Sequence, residues 1–192
     1  MKIAAFLFLF FTGAVSHAQT TKLKPGFDPQ EYAELLSLAF NGTSIADSAN
    51  RVTEKENYTR VYRSAELGLM NRWQLFIRND NVGVIELRGT VNHVPSWLEN
   101  FYAAMIPAQG SVQLNDSTTF TYKFAENPGA MVHVGWAIGV GSMAPEIVSK
   151  INEYASQKGI TDFLIIGHSQ GGALSQLLRS YLEYQQKDNK IP

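Results

Sequence analysis

The chain has no cysteine in its 192 residues. That excludes disulfides, thiol nucleophiles and thiolate metal sites, and it leaves the redox compartment unmarked. An excess of either charge is also missing: 16 basic side chains face 17 acidic ones, for a net charge of -1. The electrostatic footprint of a nucleic-acid binder is therefore absent. Histidine is scarce, at four in the whole chain, so few general bases or metal ligands are on offer, and no spacing calls for a metal or an organic cofactor. No internal repeat, low-complexity tract or charge block interrupts residues 19–192, which makes one domain the simplest organisation.

Long hydrophobic runs are likewise missing outside the N-terminus. There, "MKIAAFLFLFFTGAVSHA" combines Lys2, an apolar stretch from Ile3 to Val15, and the small pair Ser16 and Ala18. This is the pattern of a cleaved export signal over residues 1–18, and the stretch is shorter than the ~20 residues a spanning helix needs. The mature protein is expected to begin near Gln19, to be secreted or periplasmic, and to carry no transmembrane segment.

Hydrophobic periodicity then changes along the chain. "DPQEYAELLSLAF" reads as a helix capped by Asp28, with Pro29 in the first turn and a stripe of Tyr32, Leu35, Leu36, Ala39 and Phe40. "YTRVYRS", "RWQLFIR" and "VIELRGT" read as strands, the last two joined as a hairpin through "NDNVG". "SVQLNDSTTFTYKF" reads as a second hairpin, with Phe120, Tyr122 and Phe124 on one face. From Met143 a helical stripe of Ile147, Val148, Ile151 and Tyr154 runs to a stop at Gly159, with Pro145 near its start. "DFLIIG", apolar on both faces, has the pattern of an interior parallel strand. Ala173, Leu174, Leu177, Leu178, Tyr181 and Leu182 mark a helix after it. Helix, strand, tight turn and helix in this order argue for an α/β sheet.

The turn itself is "GHSQG", residues 167–171, which fits G-x-S-x-G. In that pattern a sharp strand-to-helix turn lifts a serine above the sheet, and glycines occupy positions where a side chain would collide. Ser169 is the candidate nucleophile, and the helix N-terminus beginning at Gln170 favours a developing oxyanion. Thr90, at the end of "VIELRGT", offers a hydroxyl and a backbone N–H to the same oxyanion. Losing one such donor typically costs about 2.7–4 kcal/mol of transition-state stabilisation.

Four segments in order, "VIELRGT", "SWLENF", "VHVGW" and "GHSQGGAL", resemble the class 3 lipases of the α/β-hydrolase fold, over roughly residues 58–184. The resemblance implies an α/β-hydrolase-like sheet with flanking helices. It also implies Ser169 as nucleophile, with Thr90 and the Gln170 N–H as the oxyanion hole. Gln170 departs from the family's usual leucine; with the backbone in the working role, only local packing is expected to change. Glu86 also departs from an apolar norm, and its neighbour two positions on, Arg88, suggests a structural ion pair. His133 falls at a structural position of the family, strand alternation points His168 away from the serine, and His93 lies in the loop after Thr90.

Serine needs a base, and the base an orienting acid. After Ser169 the chain holds Glu183 and Asp188 but no histidine. The resemblance places the acid and then the histidine after the elbow, so residues 19–192 are expected to form a domain incomplete at its C-terminal side, with the "FLIIG" strand left at a bare sheet edge. Two readings stay open: an ester hydrolase acting on lipid or other carboxylic esters, and a noncatalytic scaffold binding an acyl ligand or a protein. Trp97, Phe101 and Met105 recur every four residues, as a lid meeting a lipid interface would, and equally as core packing would.

Overall fold

The computed structural model describes residues 22–41 and 57–192. The leader expected over residues 1–18 lies outside them. Asp28 caps the first helix, α1 (Pro29–Asn41), its Oδ1 accepting from the backbone N–H groups of Gln30 (2.8 Å) and Glu31 (3.1 Å). Three strands follow: β1 (Tyr58–Arg63), β2 (Trp73–Arg78) and β3 (Gly83–Leu87). They pair antiparallel in sequence order, and β8 (Phe163–Gly167) adds parallel to β3, giving the order β1-β2-β3-β8.

Alternation divides this sheet into two faces. Phe76, Val84, Leu164 and Ile166 pack with Leu38 of α1 and with Tyr58. Trp73, Leu75, Ile85, Leu87 and Ile165 meet α3 (Val134–Lys158) and α4 (Gln170–Lys187) in the larger core. Between β3 and α3 lie α2 (Val94–Phe101), the short pair β4 (Met105–Pro107) and β7 (Met131–His133), and the hairpin of β5 (Gln109–Asn115) and β6 (Thr118–Lys123). Phe120, Tyr122 and Phe124 of that hairpin are buried in the larger core, as their shared face predicts.

Several expectations are corrected. Helix α3 begins at Val134 rather than near Met143, so Pro145 is interior to it. Gly135, Gly139 and Gly141 are poor helix formers and hide the start. Close packing explains them: a Cβ on Gly135 would stand 2.0 Å from the Glu99 carbonyl oxygen, and one on Gly141 would stand 2.6 Å from the Phe120 ring.

The stripe of α1 is narrower than expected. Leu38 and Ala39 are buried, whereas Tyr32, Leu36 and Phe40 are exposed. The strand "FLIIG" has the apolar pattern of an interior strand and, among the described residues, lies at the sheet edge expected of it. Helices lie on both of its faces, which explains its two-sided apolar pattern, but among the described residues it pairs with β3 alone and all five of its residues are half-buried. Helix α2 ends at Phe101, so Met105 opens a strand instead of continuing a helical row.

Candidate active site

β3 and β8 run in parallel register, with Leu87 beside Gly167, so both chains leave the sheet at the same end. Beyond β3 the backbone passes Gly89, where a Cβ would stand 2.8 Å from the His168 ring. Beyond β8 it turns through Ser169 at φ 55 and ψ -127. This conformation is sparsely populated by residues with a Cβ and costs about 1–3 kcal/mol. Both flanking glycines are required by contact: a Cβ on Gly167 would lie 2.3 Å from the Gly171 oxygen, and one on Gly171 would lie 2.1 Å from the Leu87 oxygen.

The Ser169 side chain is exposed and makes no capping hydrogen bond to α4. Its carbonyl accepts from Gly172 (2.9 Å) and Ala173 (3.2 Å). The N–H groups of Gln170 and Gly171, in the first turn, have no intrahelical acceptor and point out of the helix end. Thr90 is half-buried, and its Oγ1 accepts a hydrogen bond from Asn100 Nδ2 at 3.0 Å. With a lone pair so engaged, the hydroxyl hydrogen of Thr90 remains to be donated.

The same Nδ2 lies 3.3 Å from Gln170 Oε1, which also accepts from Ser96 Oγ at 3.3 Å. Ser96 Oγ in turn accepts from the Val91 N–H at 3.2 Å. Thr90 and Gln170, far apart in the chain, are thus gathered around one amide of α2. The Gln170 side chain therefore does more than alter packing: it is 5% exposed and hydrogen-bonded. Ser96, Glu99 and Asn100 are absent from the sequence-derived site. Their signal was available, since polar residues at i, i+3 and i+4 in "SWLENF" share one helix face.

The described histidines do not engage the serine. His133 is structural, its Nδ1 accepting from the Trp136 N–H (3.2 Å) and its Nε2 bonded to the Asn100 carbonyl (3.1 Å). His168 points toward α1 and packs tilted against the Phe40 ring, with centroids 4.6 Å apart. His93 is exposed at the start of α2. Among the described residues, no imidazole or carboxylate hydrogen-bonds the Ser169 hydroxyl.

The expected pair of Glu86 and Arg88 takes another form. Arg88 Nη2 donates to Glu66 (2.9 Å) and to the Met70 carbonyl (2.6 Å), while Glu86 accepts from Gln74 Nε2 (3.0 Å). Burial pushes the carboxyl of Glu86 up to about 7, and burial does the same to Glu99, also to about 7. An unfolded carboxyl near 4.5 releases its proton while the folded one still holds it. Stability contributed by these protons is complete below pH 4.5 and is lost as pH rises toward 7. The thermal midpoint, followed by circular dichroism, is expected to fall between pH 5 and pH 7.5. Glu86→Gln is expected to flatten that slope.

A serine hydroxyl on a strained strand-to-helix turn, above a sheet with helices on both faces, is the arrangement of the α/β-hydrolase class. The profile of the lipase (class 3) family matches residues 84–192, and the chain belongs to that family. No curated protein sequence matches it. Among solved structures, the triacylglyceride lipase of Rhizomucor miehei is similar with a TM-score of 0.56 at 17% identity, over 86% of this chain and 59% of its own. The triacylglycerol lipase of Penicillium expansum is similar at 0.58 and 16%, over 84% and 58%. A triacylglycerol lipase whose catalytic centre is a serine protease triad is similar at 0.53 and 17%, over 86% and 59%. These likenesses establish the α/β-hydrolase fold, and the chain spans less than two thirds of the length of those lipases.

Proposed function

We propose that the protein is a serine ester hydrolase acting on lipid or other carboxylic esters through an acyl-enzyme at Ser169. The observation that carries this reading is the bare, exposed hydroxyl of Ser169 on a strained turn, next to free helix N–H groups. In this scheme Ser169 Oγ bonds to the ester carbonyl carbon as its proton passes to an imidazole. The carbonyl π-electrons move onto oxygen, where the Gln170 N–H and the Thr90 hydroxyl donate to it. Collapse expels the alcohol, which takes the proton from the imidazole, and water then releases the acid by the same steps in reverse roles. The imidazole and its acid come, in this proposal, from outside the described residues.

An ester of lipid type suits the surface beside the site. Val94, Trp97, Leu98 and Phe101 are exposed on α2, with Trp97 stacked on Phe101 at 5.9 Å. Such a patch is what a lipid interface contacts, and a solved fungal lipase with an inhibitor is described as a model for interfacial activation. No helix among the described residues is long and apolar enough to cross a membrane. A secreted or periplasmic location rests on the leader at residues 1–18.

The full-length protein treated with a fluorophosphonate probe is expected to carry one adduct, mapped by mass spectrometry to the peptide containing Ser169. Absence of any adduct, under conditions that fully label a reference serine hydrolase, would favour the noncatalytic scaffold instead.

A further inference from the structure

Helix α2 has two unlike faces. Its outer face is the apolar patch. Its inner face is polar and sealed, with Ser96 and Glu99 2% and 0% exposed. Glu99 Oε2 accepts from Asn71 Nδ2 at 2.6 Å, and its Oε1 is buried without a hydrogen-bond partner. Asn100 Oδ1 accepts from the Trp136 indole N–H at 3.3 Å. That contact decides which way the Asn100 amide faces and leaves its Nδ2 toward Thr90 and Gln170.

The glycines of α3 make room for α2, since a Cβ on Gly139 would stand 2.3 Å from Glu99 Oε1 and one on Gly135 2.0 Å from the Glu99 carbonyl oxygen. Gln170 belongs to neither helix of this pair. It sits on the nucleophile turn, and its Oε1 accepts from two residues of α2, Ser96 and Asn100.

We infer that Gln170 is a positioning residue whose carboxamide fastens α2 to the nucleophile turn, so that Asn100 holds the Thr90 hydroxyl in its donating orientation before substrate arrives. An apolar residue at position 170 would keep the backbone N–H but take away the acceptor that Ser96 Oγ and Asn100 Nδ2 share, and polar groups left without partners in the interior are costly. Helix α2 is then a fixed wall with a lipid-facing exterior. It does not swing aside as a lid. The part of this inference that concerns the oxyanion rests on the hydrolase reading above; the fastening of α2 does not.

The test compares the full-length wild type with Gln170→Met, which keeps volume and removes the amide, and with Ser96→Ala as a milder cut. Amide hydrogen exchange over residues 97–101 is the first readout. Wild-type protection is expected to be high and unchanged by phosphatidylcholine vesicles, and to fall about tenfold or more in Gln170→Met, where two hydrogen bonds to α2 are lost. Ser96→Ala is expected to fall less, and it carries the comparison if Gln170→Met does not fold. The second readout is hydrolysis of a short p-nitrophenyl ester, with kcat expected to drop about tenfold and KM to stay within about twofold, the mark of an interaction made in the transition state.

Unchanged protection in both variants, or wild-type α2 opening on vesicles, overturns the inference. Wild-type protein that is inactive yet loses α2 protection on the Gln170 change defeats the hydrolase reading and leaves the fastening in place.

Discussion

Ser169→Ala in the full-length protein is expected to lower ester hydrolysis by at least about 10⁴-fold, because removing the nucleophile leaves only oxyanion donation and binding. The fold should not suffer. The hydroxyl is exposed and caps nothing, so its deletion breaks no hydrogen bond that holds the domain. Ser169→Gly carries the point further: at φ 55 and ψ -127 a residue without a Cβ relieves strain worth about 1–3 kcal/mol. That variant is expected to be equally inactive and to melt several degrees higher. Initial rates on a p-nitrophenyl ester and scanning calorimetry of the three proteins check both halves. Residual hydrolysis above about one percent in the alanine variant would assign the nucleophile elsewhere, since the loss from a true nucleophile is far larger.

Gly171→Ala is expected to be strongly destabilising, at more than about 3 kcal/mol. The added Cβ would stand 2.1 Å from the Leu87 oxygen and 2.9 Å from the Leu87 carbonyl carbon. Those are backbone atoms at the end of β3, and they cannot rotate away as a side chain would. The backbone of Gly171 is ordinary helix, so the cost is one of space alone. Gly159 supplies the contrast. Its φ of 65 makes it the left-handed cap of α3, but nothing lies within 4 Å of its added Cβ. Gly159→Ala should therefore cost only about 1 kcal/mol of backbone strain. Denaturant melts of the two variants separate the steric penalty from the conformational one. Equal midpoints would mean that β3 and α4 are further apart than described.

The nucleophile turn was legible in sequence because a strained bend needs several residue types at fixed offsets, and Gly167, Ser169 and Gly171 supply them in five positions. Strands β2 and β6 were legible through period-two alternation of their residues, and in β6 that alternation is also the pattern of burial, whereas β3 is buried on both faces. The first half of α3 was not, because Gly135, Gly139 and Gly141 are chosen by what lies against them. Helix propensity carries no information about a neighbouring carbonyl.

The same reasoning explains the site. Thr90 and Gln170 stand at the ends of recognisable elements, so the roles proposed for them follow from position. Asn100 acts by touching both, a relation that exists only after α2 has been laid across the two turns. Its helix face could be counted out in "SWLENF", but what that face would meet could not. The position of the "FLIIG" strand was half legible in the same sense: its residues record helices above and below, and are silent about neighbours in the plane.

The three indoles of this chain sit at three depths. Trp73 is sealed, 0% exposed, with its N–H on Glu146 at 2.8 Å; Trp136 lies against the His133 ring at 4.2 Å; Trp97 is 47% exposed on the outer row of α2. Unfolding moves Trp73 from hydrocarbon into water, and contact of α2 with an oily phase moves Trp97 the opposite way. The intrinsic emission of the protein thus carries two colour changes of opposite sign, red for denaturation and blue for adsorption, and needs no added dye to tell them apart.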